Sequence, residues 1–435
     1  MECRLKRNFQ KIYHLINTKF ANNGKYAMID QGIISLSNFS ASILLTILVS
    51  PSELGSYVTG FFAVYFVRAI QDGLIIQPLN SFGASKDAKD FKSYFSAVAV
   101  HQLLLSILIS IGAWALGLIL TRMGNDTLGS IASVLWLAFF TWQTQEFFRR
   151  TFYTRNEVHK GMWISVVENL VRLGFIILIS KTGQVSGLTG LTSMGLGSLV
   201  GTLLGIWFAR DYFTKEIQNI YQTWQENWRF GRWILGASLA EWVVVDLYPM
   251  IIAGVISFTA TGAYQTLQNL VAPIHVLLRT MDTFVTPILA RTYDQSGTPK
   301  LRKTLNLIFL VGGIPVICLL VVTVILTPKL LYMLKGETYL SYANGIYLMA
   351  LFYFFMFINR PLQMVFRAIR LGKQVFWANI LATISMITIG VWLINRWGFY
   401  GAIGGQALNA IIVSLVLLVA WTQILRSQPR EAVDA

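Results

Sequence analysis

Residues 304–326, TLNLIFLVGGIPVICLLVVTVIL, contain no charged side chain and directly follow the basic segment KLRK at 300–303. A run of this length is enough to cross a bilayer, because a helix needs about 20 apolar residues to span the hydrocarbon core. Across the whole chain 55% of the residues are hydrophobic and only 13% are charged. A soluble domain of that composition would expose large apolar patches. The sequence therefore predicts an integral membrane protein.

Apolar stretches of this kind recur along the chain, and each predicts a transmembrane helix. The twelve predicted spans are residues 27–50, 54–80, 94–120, 128–148, 161–181, 187–209, 230–256, 258–288, 304–326, 339–366, 374–395 and 398–425. Because the number of spans is even, both termini are expected on the same side of the membrane.

Basic residues are concentrated in the N-terminal segment, in every second connection and in the C-terminal tail. These segments hold 26 Lys and Arg residues, including Arg149 and Arg150, whereas the alternate connections hold five. Since positively charged loops stay in the cytoplasm, both termini are predicted to be cytoplasmic. The net charge of +15 then reflects loops beside anionic headgroups, so nucleic acid is not an expected partner.

The two halves of the chain share a pattern that predicts an internal repeat. SELGSY at 52–57 follows the first span, and TATGAY at 259–264 follows the seventh, so that Gly55 and Gly262 are equivalent. Because each repeat has an even number of spans, the copies are expected to be parallel. The predicted fold is all-α, with about 12 transmembrane helices in two parallel six-helix bundles around a central cavity.

The chain divides into five predicted segments. Residues 1–26 form a cytoplasmic interfacial segment, 27–210 the first bundle, 211–228 a cytoplasmic amphipathic linker, 229–425 the second bundle and 426–435 a cytoplasmic tail. In both interfacial segments apolar residues recur at helical spacing among basic ones, as is typical of helices that lie on the inner leaflet. Anchoring is the favoured interpretation, and regulation is the alternative.

Ionisable side chains within the spans mark candidate functional positions, because they are costly in hydrocarbon unless they are paired or face water. They are Asp30 in span 1, Arg68 and Asp72 in span 2, Glu168 and Arg172 in span 5, Glu241 and Asp246 in span 7, and His275, Arg279 and Asp282 in span 8. Glu168 and Arg172 are four residues apart and are expected to form a self-neutralising structural pair.

Span 8 carries a polar stripe. Its members share one helical face: Gln265, Gln268, His275, Arg279, Asp282 and Thr286. Such a stripe cannot face lipid, so it is expected to line a hydrated cavity or to meet another polar stripe. In the repeat, Arg68 and Asp72 align with His275 and Arg279, which favours spans 2 and 8 facing each other. The alternative is that Arg68 pairs with Asp72, and Arg279 with Asp282.

Acidic groups in these spans are the candidate sites for coupling to a proton or sodium gradient. The predicted ion-coupling residues are Asp30, Asp72, Glu241, Asp246 and Asp282. Glu241 and Asp246 have no basic neighbour within their own helix, which suits this role. For Asp30, simple hydration near the cytoplasmic interface is the alternative.

Motifs for catalysis are missing from the sequence. Neither the phosphate-binding run G-x-x-x-x-G-K-[ST] nor H-E-x-x-H occurs. The longest predicted outer connection, residues 327–338, is too short to hold a glycan acceptor. The two cysteines, Cys3 and Cys318, are too few for a Cys-based metal site. We therefore expect no enzymatic activity, no metal site and no bound cofactor.

Short motifs at equivalent places in the two halves carry a resemblance to a known family. They are SPSELGSY at 50–57, its second copy Gly262-Ala263-Tyr264, and the basic turn RLGK at 370–373. With two parallel six-span halves and a cytoplasmic linker, the whole chain resembles the oligosaccharide flippases of the multidrug, oligosaccharidyl-lipid and polysaccharide (MOP) exporter superfamily. The resemblance implies alternating access of two bundles, with a cavity built mainly from spans 1, 2, 7 and 8.

The same resemblance implies a cargo and a location. The expected substrate is a polyprenyl-diphosphate-linked oligosaccharide, moved to the outer leaflet of a bacterial cytoplasmic membrane. Arginine offers planar donors that match phosphate oxygens. The expected substrate-binding residues are Arg68, Arg279, His275, Gln265 and Gln268. The lipid bilayer and the polysaccharide polymerase machinery are the other expected partners.

Three alternatives to this function stay open. Acids outnumber arginines in the candidate spans, which keeps an ion-coupled multidrug exporter of the same superfamily in consideration. A membrane-embedded glycan-processing enzyme would form product in detergent, where nothing is translocated. A non-transporting scaffold for envelope assembly would tolerate the removal of charges from the cavity.

Overall fold

The computed structural model describes residues 19–217, 219–369 and 371–426. Within these ranges the structure does not describe some side chains, mainly between residues 241 and 294, and these include Glu241, Arg279 and Asp282. The described residues also exclude most of the predicted interfacial segment 1–26 and nearly all of the tail 426–435. All regular secondary structure in the described residues is helical, which confirms the all-α prediction.

The first six helices correspond to the first six predicted spans. They are α1 Lys19–Leu48, α2 Pro51–Gly83, α3 Ala88–Arg122, α4 Asp126–Thr154, α5 Val158–Ser180 and α6 Gly187–Ala209. Side-chain caps fix three of the starts, because Asp87, Asn125 and Ser186 each accept a hydrogen bond from the backbone N–H three residues later. Helix α2 contains a π-helical turn at Asp72–Ile76.

The second half is more interrupted than the apolar pattern predicts. Its helices are α7 Ile220–Val245, α8 Leu247–Val255, α9 Phe258–Leu270, α10 Ala272–Lys335, α11 Gly345–Ala368, α12 Gly372–Ser385 and α13 Val391–Arg426. Span 7 is broken at Asp246, and span 8 is divided between α9 and the start of α10. Positive φ angles at Gly297 (65°) and Gly398 (53°) break α10 and α13 where the predicted spans change.

Eight helical ranges among the described residues are long and apolar enough to cross a membrane. One of them, Lys373–Arg426, has 54 residues and contains both span 11 and span 12. Helix α4 is not one of these eight ranges. Its C-terminal half carries the charged residues Glu146, Arg149 and Arg150. The chain is a multi-pass membrane protein.

The described chain packs as two units. One consists of the described residues up to Val49 together with Gly60–Leu239, and the other of Ser50–Thr59 together with the residues from Ala240 onward. The first turns of α2 therefore belong with the second unit and the rest of α2 with the first. The predicted boundary between residues 228 and 229 lies inside α7, which stays with the first unit through Leu239.

Small residues on α6 allow close helix packing in the first unit. A Cβ atom on Gly197 would lie 2.6 Å from the carbonyl oxygen of Glu168, and one on Gly205 would lie 2.7 Å from Cβ of Phe148. Helices α4 and α5 therefore approach α6 through positions where no side chain fits. These glycines therefore have a packing role.

The predicted linker packs along α3 of the first unit. Four polar contacts join the two segments: Ser93 Oγ to Glu216 O at 2.6 Å, Thr214 N to Ser96 Oγ at 3.1 Å, Tyr94 Oη to Asn227 Oδ1 at 3.0 Å and His101 Nε2 to Ile220 O at 3.0 Å. Most of its length therefore belongs structurally to the first unit.

Candidate functional site

A cluster of opposite charges is buried in the first unit, between α1 and α4. Arg149 NH1 donates to Asp30 Oδ2 at 2.6 Å, while its Nε and NH2 donate to the two oxygens of Glu146 at 2.7 and 2.8 Å. Arg150 Nε donates to Glu146 Oε1 at 2.7 Å, and the Tyr153 hydroxyl donates to Asp30 Oδ2. Two carboxylates and two guanidinium groups balance each other, which is the arrangement that makes buried charge tolerable.

Two interpretations of the sequence need correction at this cluster. Arg149 and Arg150 lie within helix α4, which continues to Thr154, rather than in a loop, and Arg149 is only 7% exposed. Hydration at the interface is the wrong alternative for Asp30, because its exposed fraction is 0%. Asp30 Oδ1 accepts no hydrogen bond from any described residue.

Arg68, on α2 of the same unit, forms no ion pair with a carboxylate in the part of the chain that the structure describes. The ion pairs among the described residues, with N···O distances up to 4.0 Å, involve Arg149, Arg150 and Lys160 but not Arg68. Asp72, one turn later, accepts a hydrogen bond from Gln77 Nε2 at 3.3 Å instead. The alternative in which Arg68 pairs with Asp72 is therefore wrong.

The described neighbours of Arg68 are an aromatic ring and a carboxylate that is already paired. The side chain is half-buried, and its Cζ lies 5.7 Å from the ring centroid of Tyr65, within cation–π range. The charge of Arg68 also acts on Glu146, but that carboxylate is already held by Arg149 and Arg150. A guanidinium group in this position can donate to an incoming anion.

A buried amide network joins α2, α3 and α4 in the first unit. Gln71 Nε2 donates to Gln102 Oε1 at 2.9 Å and to the backbone oxygen of Gln143 at 2.6 Å, and Gln102 Nε2 donates to Ser106 Oγ at 2.7 Å. All four residues are at most 1% exposed. Sequence analysis missed this network because uncharged glutamines carry no strong signal, although three of them in apolar spans are unusual.

Glu168 and Arg172 on α5 bind different neighbouring helices. Glu168 Oε1 accepts from Ser198 Oγ of α6 at 2.8 Å, and Arg172 NH1 donates to Asn38 Oδ1 of α1 at 2.7 Å. Both side chains are buried, at 8% and 4% exposed. Their hydrogen bonds tie three helices together, which agrees with a structural role.

The glutamines of the predicted stripe lie on α9 in the second unit. Gln268 Nε2 donates to the Tyr264 hydroxyl at 2.8 Å, and that hydroxyl donates to Gln406 Oε1 at 2.9 Å. Gln265 Nε2 donates to Asn269 Oδ1 at 3.0 Å. Both glutamines are half-buried, so the structure gives them partners inside the unit and leaves part of each side chain accessible.

Of the other predicted site residues in the second unit, the structure describes the side chains of only some. The His275 ring lies 6.2 Å from the ring of Tyr353, in an edge-on arrangement. Asp246 is half-buried at the break between α7 and α8. The side chains of Glu241, Arg279 and Asp282 lie outside the described residues, so the predicted pair Arg279–Asp282 and the continuous stripe stay predictions.

Glu146, Arg149 and Arg150 are residues of the charged cluster that the sequence analysis did not assign to a site. The predicted end of span 4, at residue 148, placed the arginines in a connection. The spacing of Glu146, Arg149 and Arg150 at i, i+3 and i+4 is the signal that identifies one helical face.

Comparison with known proteins identifies the family. Residues 44–344 match the sequence profile of a family described as "Polysaccharide biosynthesis protein". No curated protein sequence matches the chain.

Solved transporters share the fold. An inward-facing multidrug resistance transporter of the MATE family gives a TM-score of 0.76 at 13% identity, covering 93% of this chain and 100% of that one. The lipid II flippase MurJ, in an inward closed conformation, gives 0.72 at 12% identity over 94% and 88%. A MOP-superfamily transporter from Pyrococcus furiosus gives 0.61 at 15% identity over 95% and 97%.

These likenesses establish the fold, and the sequence profile, which covers most of the chain, establishes the family. The resemblance drawn from the short motifs is confirmed at this level. The chain belongs to the polysaccharide biosynthesis protein family and has the fold of the MOP-superfamily exporters.

Proposed function

We propose that the chain is a flippase that moves polyprenyl-diphosphate-linked oligosaccharides from the cytoplasmic to the outer leaflet by alternating access. Membership of a polysaccharide biosynthesis family supports a glycan cargo. The fold shared with the lipid II flippase MurJ supports movement of a lipid-linked cargo rather than its chemical conversion.

The observation that carries the proposal is that Arg68 forms no ion pair among the described residues. A cation inside a membrane protein is costly unless it is paired or faces water, so a half-buried guanidinium group of this kind fits an anionic ligand in a hydrated cavity. A diphosphate supplies several oxygens that accept charge-assisted hydrogen bonds from one planar fork. Arg68 would bind the headgroup while lipid solvates the polyprenyl tail.

The remaining expectations follow from this function. The protein would lie in a bacterial cytoplasmic membrane with both termini in the cytoplasm, and would deliver its cargo to the polysaccharide polymerase machinery. A proton or sodium gradient would drive transport through some of the acids Asp30, Asp72, Glu241, Asp246 and Asp282. His275, Arg279, Gln265 and Gln268 would extend the contacts with the substrate in the second repeat.

Reconstitution into proteoliposomes tests the role of Arg68. A fluorescent lipid-linked oligosaccharide is added, and the fraction that becomes protected from an added quencher is followed in time. We expect Arg68→Met to lower the initial rate at least about tenfold, since a charge-assisted hydrogen bond contributes about 1.5–3 kcal/mol. Arg68→Lys is expected to retain part of the activity. Arg122→Met, at the exposed end of α3, is the matched control.

The proposal is contradicted if Arg68→Met and the double variant Arg68→Met/Arg279→Met flip the lipid as fast as Arg122→Met. The excess of acids over arginines in the candidate spans favours a multidrug exporter as the second candidate. That function predicts that a pH gradient drives uptake of a cationic dye. This uptake is expected to persist in Arg68→Met and to be abolished in Asp246→Asn.

A further inference from the structure

Two cationic side chains at one end of the first unit lie over aromatic rings of α3. Lys86 Nζ is 5.1 Å from the ring centroid of Tyr94, and Arg155 Cζ is 4.4 Å from that of Phe91. Both distances are within cation–π range. Lys86 precedes α3 and Arg155 follows α4, so two connections of the unit meet at the start of α3. These four residues form the cation–ring cluster.

A hydrogen bond brings the two cationic residues of the cluster together. Arg155 NH1 donates to the backbone oxygen of Lys86 at 3.0 Å, and both side chains are half-buried. Neither side chain takes part in an ion pair among the described residues, where such pairs involve Arg149, Arg150 and Lys160. The cluster therefore carries two positive charges that no described carboxylate neutralises at close range.

The acids that flank the cluster in sequence have partners of their own. Asp87 Oδ1 accepts a hydrogen bond from the backbone N–H of Asp90 at 2.8 Å, as the N-cap of α3. Glu157 forms an ion pair with Lys160 Nζ at 2.5 Å. The side chain of Asp90 is exposed. The half-buried charges of the cluster are therefore open to an anion from outside the chain.

An exposed apolar ring lies beside the cluster. Phe91 stacks on Phe95 with ring centroids 5.9 Å apart, and the Phe213 ring meets that of Phe95 edge-on at 5.2 Å. Phe213 is 44% exposed, whereas Phe91 and Phe95 are at most 1% exposed. A ligand that matches this surface combines a negatively charged group with an apolar body.

The cluster lies where the helices leave the hydrocarbon. Helix α3 continues from the cluster into Ala88–Arg122, which is long and apolar enough to cross a membrane. The connections that carry Lys86 and Arg155 are on the side rich in Lys and Arg, which is predicted to be cytoplasmic. Anionic phospholipids give the cytoplasmic leaflet a negative surface.

We propose that the cation–ring cluster binds the phosphate of an acidic phospholipid from the cytoplasmic leaflet, with an acyl chain against Phe213. Lys86 and Arg155 donate charge-assisted hydrogen bonds to the phosphate oxygens. Because the rings hold both cations in place beforehand, less side-chain entropy is lost on binding. The bound lipid joins the α2–α3 and α4–α5 connections at the membrane surface. This inference does not depend on the identity of the cargo.

Native mass spectrometry of the full chain in detergent tests the site. The probes are phosphatidylglycerol, which carries a net negative charge, and zwitterionic phosphatidylcholine with the same acyl chains. We expect one phosphatidylglycerol to stay bound at collision energies that remove phosphatidylcholine. The double variant Lys86→Gln/Arg155→Gln should weaken the apparent affinity for this phosphatidylglycerol at least about tenfold, because both contacts to the phosphate are lost.

The double variant Lys89→Gln/Lys92→Gln is the matched control. It removes the same amount of charge from the start of α3, but both of these lysines are exposed. We expect it to keep the bound phosphatidylglycerol. An equal loss in both double variants would show that surface charge alone attracts the lipid, and it would overturn the site. Unchanged affinity in Lys86→Gln/Arg155→Gln, or equal retention of phosphatidylcholine, would also overturn it.

Two further measurements separate a lipid from a free anion and binding from folding. Millimolar inorganic phosphate is expected to leave the phosphatidylglycerol bound, and displacement would assign the cluster to a soluble phosphate instead. Phosphatidylglycerol should raise the Tm of the parent and of the control, but not that of Lys86→Gln/Arg155→Gln. If this variant does not fold, Lys86→Gln alone decides. It should weaken binding at least about threefold, and unchanged affinity would contradict the proposal.

Discussion

Arg149 on α4 donates to Asp30 on α1 at 2.6 Å through a single guanidinium nitrogen, while its other two nitrogens hold Glu146. The arginine therefore keeps one strong partner when the carboxylate of Asp30 is removed. Asp30 is the more weakly held carboxylate of the cluster, and its second oxygen accepts no hydrogen bond from the described residues. This asymmetry is compatible with a coupling role for Asp30 and a structural role for Glu146.

Removing the arginine should destabilise the first unit strongly. We expect Arg149→Met to cost about 3–5 kcal/mol, because it leaves buried carboxylates uncompensated. Asp30→Asn should cost less, because Arg149 keeps Glu146. The measurement is the free energy of unfolding in detergent, with the exposed Arg122→Met as the control. Equal stability of Arg149→Met and Arg122→Met would show that the cluster does not hold α1 to α4.

The amide network should contribute to the packing of α2. Gln71→Leu removes the donor to Gln102 and to the Gln143 carbonyl, and the unpaired buried acceptors should cost about 1–3 kcal/mol. Gln31→Leu is the matched control, because Gln31 is exposed and bonds only to Ser35 within its own helix. Thermal unfolding of the two variants in the same detergent compares them. A Gln71→Leu protein as stable as the control would contradict the assignment.

The glycine face of α6 should not tolerate a methyl group. Gly205→Ala would place Cβ 2.7 Å from Cβ of Phe148, so we expect a loss of about 1–3 kcal/mol from overpacking. Gly174→Ala on α5 meets nothing within 4 Å and should be neutral or stabilise the helix by up to about 1 kcal/mol. Unfolding midpoints of the two alanine variants give the comparison, and a reversed order would refute it.

The orientation of the chain can be read from single cysteines. Met123→Cys, 76% exposed at the end of α3, should react with an impermeant maleimide added to intact cells. Lys89→Cys, exposed at the start of the same helix, should react only after the membrane is permeabilised. Both expectations follow from the distribution of basic residues. The opposite pattern would place the termini outside.

Particular residues show how far the sequence predicts the site. The positions of Asp30 and Arg68 in spans were predicted, because a charge in an apolar run stands out. The partner of Asp30 was not, since Arg149 is distant in sequence and the helix boundary at residue 148 placed it in a loop. The glutamine network was missed because hydrogen bonds between helices depend on which faces meet.

The sequence by itself determined that this chain is helical and embedded in lipid, and it predicts an internal repeat and an orientation. Hydrophobic length, the asymmetry of basic residues and the recurrence of Gly55 at Gly262 are local properties, and local properties can be read along the chain. Only the tertiary structure decided which of the described charges neutralise each other, and it left Arg68 without an ion pair among them. Pairing depends on distances between helices that no spacing along the chain encodes.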